Sequence, residues 1–466
     1  MKKWLLLFSL VFMANTILAQ SFYFGADLSY VNELEDCGAV YTEDQVAKDP
    51  YVLFADHGCN LVRLRLWHSP VWYDDLNNGQ RYSDLADVKK SISRAKQEQL
   101  QVLLDFHLTD NWADPSNQLV PQAWLPIVAD TPTLKDSLYN YIFSTLSELN
   151  NEGLLPELIQ IGNETNKGIL LSPEDNATWT LDWDRNATLF NAAIQAVQDF
   201  EQLTQNDLKI VLHIAGPDDA AWLMEGFVNS GVTDFDIIGL SYYWAWHLPT
   251  SIEATAQIIQ SLKQLYPDKE VMIVETGYLW TTDWQDDAAN IIGETHPDYQ
   301  PVSPIQQKQW LIDLTQAVID ANGTGVLYWE PAWVSTSCFT QWGQGSHQEH
   351  ATFFDFDHQL LIPGGIEWMS HDYGLTTSTF APTPEPAIQI FPQGFTGVVK
   401  IALSEHWPAV MEYAVVHPAG QIMQTGQLST SETDVQLMGI PAGLYFVSVY
   451  AKGQILQTQK VIYHPW

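Results

Sequence analysis

The chain has 466 residues, 46% of them hydrophobic, which suits one large domain or a large domain joined to a small one. Twenty Lys and Arg stand against 56 Asp and Glu, a formal charge of -36; such a surface repels phosphate backbones and anionic lipids and argues against nucleic-acid and membrane-surface partners. Acidic chains are often disordered, but 19 Trp, 19 Tyr and 19 Phe specify a folded protein, and flat aromatic faces also suit the apolar faces of pyranoses.

In chain order, residues 1–19, MKKWLLLFSLVFMANTILA, combine two lysines, an apolar stretch and a small terminal residue. That layout predicts a secretory signal cleaved after Ala19, too short for a stop-transfer helix and without membrane insertion, which places the mature protein outside the cell or on its surface. Eight apolar, β-branched runs follow, beginning with FYFGADLS at 22, NLVRLRLW at 60, LQVLLDFHL at 100, LPELIQIGNE at 155, LKIVLHIAG at 208, FDIIGLSYY at 235, EVMIVETGY at 270 and GTGVLYWEP at 323. Segments with helical periodicity, such as DLADVKKSISRAKQEQ and TPTLKDSLYNYIFSTLSELN, separate them. Alternating strands and helices predict an α/β fold, a (β/α)8 TIM barrel over residues 20–372. A doubly wound open sheet is the alternative, but it calls for a glycine-rich phosphate turn that GADLS does not offer. Cys37, Cys59 and Cys338 are odd in number and lack metal-ligand spacing, which argues against a disulfide framework or a zinc site and leaves room for one incidental bridge such as Cys37–Cys59.

In a barrel the C-terminal strand ends converge on one face. Here they carry Asp27, Arg63 and Arg65, His107 and Asp110, Asn163 and Glu164, His213, Tyr243, Glu275, and Trp329 with Glu330. His107 or His213 taken singly reads as a satisfied core histidine. Arg63 and Arg65 point to one side of their strand, and an inward arginine needs a carboxylate partner. LPELIQIGNET and EVMIVETGY both terminate a greasy strand on a glutamate, which puts two carboxyls across the barrel mouth. Glycoside hydrolysis uses such a pair, about 5 Å apart when one is a nucleophile. Both roles are then carried by carboxyls, so no cofactor is required for catalysis. Asn163 is placed to hold a sugar 2-hydroxyl, and Arg63 and Tyr243 to keep Glu275 ionised.

Asn-Glu on the fourth strand and Glu on the seventh match the retaining glycosidases of clan A. GADLS, NLVRLRLW, LLDFHLTDNWADP, IQIGNETNKGIL, GLSYY, VMIVETGY and LYWEPAW resemble glycoside hydrolase family 53, the endo-β-1,4-galactanases, over about residues 21–370. The resemblance implies retaining cleavage of β-1,4-galactan in type I arabinogalactan and pectin, with Glu164 as acid/base and Glu275 as nucleophile. It further implies Asn163, Arg63, His107, Asp110, Trp112, Tyr243 and Trp329 as substrate-site residues, to which His213 is added from its strand-end position. Another clan A endo-glycosidase, such as a β-mannanase or β-glucanase, shares the glutamate pair; a non-catalytic sugar-binding barrel has no need of both. Leu108, where the family has Tyr, and Trp244, where it has Pro, are expected to reshape sugar subsites. Bacterial relatives carry a structural calcium in a late loop, and TTDWQDDAANIIGETHPD supplies acids without cage spacing.

A Thr/Pro linker is predicted over 373–387, containing TTSTFAPTPEPA. Short alternating runs over 388–466 predict a small C-terminal β-sandwich. HPAGQIMQTGQL and IPAGLYFVSVYAKGQILQTQKVIYH resemble the C-terminal sorting domains of the type IX secretion system, which implies a secretion-machinery partner, although FPQG replaces the usual Asn-Pro. A carbohydrate-binding module is the alternative for this segment.

Overall fold

A computed structural model describes residues 22–375 and, beyond them, 388–392, 398–403, 411–417, 421–428, 430, 432–437, 439–441, 443–451 and 454–463. The signal at 1–19 and the linker stretch 376–387 lie outside the described residues. The chain divides into two compact units, Met1–Thr376 and Thr377–Trp466.

The first unit is a closed barrel of eight parallel strands in sequence order, so the open-sheet alternative falls. They are β1 (Tyr23–Asp27), β2 (Leu61–Leu66), β3 (Gln101–Phe106), β4 (Leu158–Ile161), β5 (Lys209–Ala215), β6 (Ile237–Ser241), β7 (Glu270–Glu275) and β8 (Gly325–Tyr328). The longer outer helices begin at caps legible in the sequence. Asp84, Asp130, Asp182, Ser251 and Ser303 each accept a backbone N–H of the first turn, satisfying a donor the helix cannot. After β8 come two 3-10 turns, Glu349–Ala351 and then Gly365–Trp368, and the second stands where the repeat predicts an eighth helix. Its Trp368 is fully buried, and one large indole covers the barrel wall that a helix would otherwise shield. Tyr373 stacks on Phe24 and is buried, so residue 373 belongs to the barrel rather than to the linker.

Inward-facing residues alternate along each strand and form layers. Leu61, Leu103, Leu158, Val211, Ile237, Met272 and Leu327 plug the barrel. The next inward position on β2 to β5 is polar: Arg63, Asp105, Gln160 and His213, all buried. On β7 the alternation breaks. Leu240 pairs with Ile273 but Ser241 pairs with Glu275, so Val274 is an extra residue. Val274 then joins the plug and Glu275 also turns inward, the re-aiming that a strand-end bulge produces.

A disulfide joins Cys37 to Cys338, with Cα atoms 5.5 Å apart. This corrects the Cys37–Cys59 pairing: closing the barrel brings the loop after β1 beside the loop after β8, a proximity hidden by a separation of 301 residues. Cys59 is buried and free.

The second unit contains two antiparallel sheets. One consists of β9 (Ile388–Pro392), β10 (Val398–Leu403) and β13 (Glu432–Gln436). The other consists of β11 (Met411–Val416), β12 (Ile422–Leu428), β14 (Gly443–Ala451) and β15 (Gln454–Tyr463). Val399, Ile401 and Val435 from the first share one core with Val415, Val447 and Val449 from the second, the arrangement of a small sandwich. No described helix is long and apolar enough to cross a membrane.

Candidate active site

The chain leaves β4 through a left-handed turn, with φ of 74° at Gly162 and 47° at Glu164. At Gly162 a Cβ would lie 2.6 Å from the Thr165 side chain, so only glycine fits. Glu164 is not glycine, and its conformation costs about 1–2 kcal/mol unless neighbours hold it. They do. The Gln118 side chain donates to the carbonyls of Asn163 at 2.7 Å and Glu164 at 3.1 Å, and Thr165 donates from both N–H and hydroxyl to the His213 carbonyl. The turn aims the Glu164 side chain into the barrel mouth.

Arg63 is the electrostatic hub beneath that mouth. Its guanidinium meets Asp27 at 2.8 Å, Asp105 at 2.9 Å and Glu275 at 2.9 Å, and donates to Gln160 at 3.2 Å and to Asn163 Oδ1 at 2.6 Å. A fully buried guanidinium so surrounded stays charged and fixes each acceptor in place. Arg65, one inward position further on, pairs with Glu330 at 3.0 Å, and its guanidinium lies over the rings of Tyr30, Trp67 and Trp112.

Glu275 therefore has a cation on one oxygen and, on the other, the Tyr243 hydroxyl donating at 3.2 Å. Glu164 has neither; Ser241 Oγ donates to its Oε1 at 2.6 Å. Ligand atoms of Glu164, Glu275 and His213 all lie within 4.8 Å of one another. Burial pushes both acids up, Glu164 to about 8, further raised by the charge of Glu275, and Glu275 to about 7, where Arg63 opposes the rise. Two carboxylates this close resist ionising together. The pair holds one proton near neutral pH, and because Arg63 lies against Glu275 the negative charge settles there and the proton on Glu164.

Above the pair opens a cavity of about 600 Å³. Of the residues expected from sequence, Asn163, Glu164, Tyr243, Glu275, Trp112 and Trp329 line it. Arg63 lies beneath the floor. His213 stands behind Glu164, its Nδ1 between Asn163 Oδ1 at 2.9 Å and the Glu164 N–H at 3.3 Å and its Nε2 on Ser241. His107 is fully buried on Asp105 at 2.6 Å, with Trp67 and Trp112 against its ring; burial lowers its pKa, so Nδ1–H of the neutral imidazole donates to that carboxylate. Asp110 accepts from the N–H groups of Ser69 and Gln122 and braces the loops after β2 and β3, away from the cavity lining. Leu108 is buried in the barrel wall and Trp244 packs at a tilt against His296, ring centroids 4.2 Å apart; neither lines the cavity, contrary to their expected effect on subsites. Sequence reasoning missed Asp105, Gln160 and Ser241, although each lies two residues before a residue it did select or at the same inward register, so strand alternation alone could have found them. It also missed Trp246, Trp333 and Trp342, which line the cavity from loops without periodicity.

Residues 23–363 match the glycosyl hydrolase family 53 profile. The chain belongs to that family. An arabinogalactan endo-beta-1,4-galactanase of Cellvibrio japonicus (strain Ueda107) is 47% identical over 347 residues, 74% of this chain and 89% of that one. An endo-beta-1,4-galactanase of Bacillus subtilis (strain 168) is 30% identical over 400 residues, 81% of this chain and 87% of that one. The Ignisphaera aggregans GH53 catalytic domain superposes with a TM-score of 0.67 at 30% identity, covering 75% of this chain and 95% of its own. Residues 389–464 match a secretion system C-terminal sorting domain.

Family 53 hydrolases need no cofactor. The late loop fits calcium poorly. Asp286 spends its carboxylate on the N–H groups of Ala288 and Ser346 and on the Ser335 hydroxyl, and among the described residues three metal-ligand side chains converge only at Glu164, His213 and Glu275. There the two ring nitrogens of His213 are already engaged.

Proposed function

We propose that this protein is a secreted, retaining endo-β-1,4-galactanase acting on type I arabinogalactan and pectic galactan, with Glu164 as acid/base and Glu275 as nucleophile. The observation that carries the reading is the unequal treatment of two carboxyls within 4.8 Å: Glu275 is paired with Arg63, whereas Glu164 meets only a hydroxyl. That separation suits double displacement, because an inverting enzyme needs roughly 6.5–9.5 Å to admit a water between its acids. Ionised Glu275 attacks the anomeric carbon while Glu164 passes its proton to the departing glycosidic oxygen. Glu164, now a carboxylate, then takes a proton from the water that releases the sugar from Glu275. Asn163, held by Arg63, is within reach of the 2-hydroxyl, and Trp112, Trp329, Trp333 and Trp342 supply faces for pyranose rings. Family membership and the activities named for its relatives support galactan as the polymer, and the sorting-domain match supports export and surface attachment.

Reducing-sugar release from potato galactan, mannan and carboxymethylcellulose, measured side by side, tests the substrate. Galactan is expected to be cleaved fastest by a wide margin. Comparable rates on mannan or cellulose would move the protein to another clan A specificity.

A further inference from the structure

Arg63 and Arg65 are successive inward residues of β2, yet their surroundings differ. Arg63 meets three carboxylates. Arg65, equally buried, meets one, Glu330 at 3.0 Å, with the Ser83 hydroxyl at 3.2 Å, and its Nε has no acceptor among the described residues. Aromatic rings supply the rest: Arg65 Cζ lies 4.7 Å from the ring centroid of Tyr30, 4.5 Å from that of Trp67 and 4.1 Å from that of Trp112. Replacing a buried ion pair with apolar residues of like volume is often neutral or stabilising, so stability alone does not account for this one. A planar, weakly hydrated guanidinium held by a carboxylate is suited to pack against ring faces, as a lysine ammonium is not.

Trp112 lines the cavity, whereas Arg65, Tyr30 and Trp67 do not. It stands on the loop after β3, where no strand register fixes its orientation. Trp67, His107 and Trp329 meet it at interplanar angles of 90°, 67° and 60°, with centroids 5.6, 5.8 and 5.6 Å away, so none of these rings is stacked upon it. The guanidinium does lie over its face. We infer that Arg65, clamped by Glu330, is a positioning residue for substrate: from behind the cavity wall it holds the Trp112 indole in the orientation that meets a pyranose ring. This deepens the galactanase reading and rests on its use of Trp112 as a sugar face. Loss of the guanidinium weakens binding of the polymer and leaves the carboxyl chemistry in place, because Glu275 pairs with Arg63 and not with Arg65.

The test is a double-mutant cycle read in KM and kcat on galactan, with melting temperature as a check on folding. Its arms are wild type, Trp112→Ala, Arg65→Met paired with Glu330→Gln, and all three changes together. Pairing the Arg65 and Glu330 changes leaves neither charge buried without its partner. Trp112→Ala is expected to raise KM roughly tenfold, and the Arg65 and Glu330 pair to raise it roughly three- to tenfold with kcat within about twofold of wild type. The combination should be no worse than Trp112→Ala alone, since an indole that is gone cannot be misplaced. Arg65→Lys, which keeps a cation for Glu330 but loses the planar group, should raise KM as the paired change does, and it carries the comparison if the paired variant melts early. Effects on KM that multiply in the combination, an unchanged KM in a folded Arg65 variant, or a loss confined to kcat would overturn the inference. If Trp112→Ala alone left KM unmoved, the sugar-face reading of Trp112 would fall; a clear Trp112→Ala effect beside an independent Arg65 effect would remove only the role of Arg65.

Discussion

Arg63 ion-pairs with Glu275 at 2.9 Å, while Glu164, close enough for its carboxyl to feel Glu275, has no ion-pair partner among the described residues. One buried cation thus divides two chemically identical side chains into a stable anion and a reservoir for a proton. The consequences for each residue can be measured separately.

Glu275→Gln removes the proposed nucleophile, and activity should fall to near background on every substrate, whatever the leaving group. Glu164→Gln should lose roughly 10²–10⁴-fold on galactan yet keep the first step on an aryl galactobioside. Added azide should then restore turnover of Glu164→Gln and yield a β-linked glycosyl azide, identified by NMR. A β-linked product from the Glu275 variant instead would reverse the two roles.

Tyr243→Phe deletes the hydroxyl that Glu275 accepts at 3.2 Å. That hydrogen bond favours the ionised form, so without it Glu275 binds its proton more tightly and the acidic limb of kcat/KM moves to higher pH. A loss of about tenfold at the optimum is expected from one hydrogen bond to a charge. A pH profile superimposable on that of wild type would contradict the arrangement.

Glu33 is buried on the Tyr73 hydroxyl at 2.7 Å, and burial pushes its carboxyl up to about 8. The unfolded chain ionises near 4.5, so the folded state holds the extra proton between these values and stability is lost as pH rises from about 4.5 to about 8. Glu33→Gln should therefore gain on wild type with pH, by roughly 1–4 kcal/mol at pH 8 and little at pH 4.5. Melting curves at several pH values check this; a difference independent of pH would show that the carboxyl's ionisation has no part in it.

A chain ending at residue 375 retains the first compact unit short of its last residue, Thr376, and every cavity-lining residue. It should fold and cleave soluble galactan at close to the full rate. Circular dichroism and a galactan assay decide; an insoluble or inactive product would place the domain boundary elsewhere.

Much of this was legible in the sequence because barrel strands carry period-two signals and helix caps are local. Asp84, Ser251 and Ser303 announce helices from within a few residues. The strand-end glutamates stood out because a carboxylate after an apolar run is costly unless it has a partner. What escaped was set by closure and by irregularity. The Cys37–Cys338 bridge depends on the last strand lying beside the first. Strict alternation would turn Glu275 away from the interior once Val274 faces it, and only the extra residue in the β7 register brings both inward. Asp110 and His213 carry chemistry-bearing side chains, yet Asp110 serves neighbouring backbone and His213 the side chains of Asn163 and Ser241 behind Glu164, which residue type alone cannot reveal.

The bridge between Cys37 and Cys338 also makes residues 37–338, seven of the eight barrel strands among them, one covalent ring. A protease cutting once in any loop of that ring, including those rimming the cleft, opens it without releasing a piece, because both products remain joined through sulfur. The segment after residue 375 lies outside the ring, and a single cut there sheds it entirely. Cleavage of the tail and nicking of the barrel therefore differ in kind: the first parts the C-terminal unit from the barrel, while the second leaves a two-chain molecule that separates on a denaturing gel only after reduction.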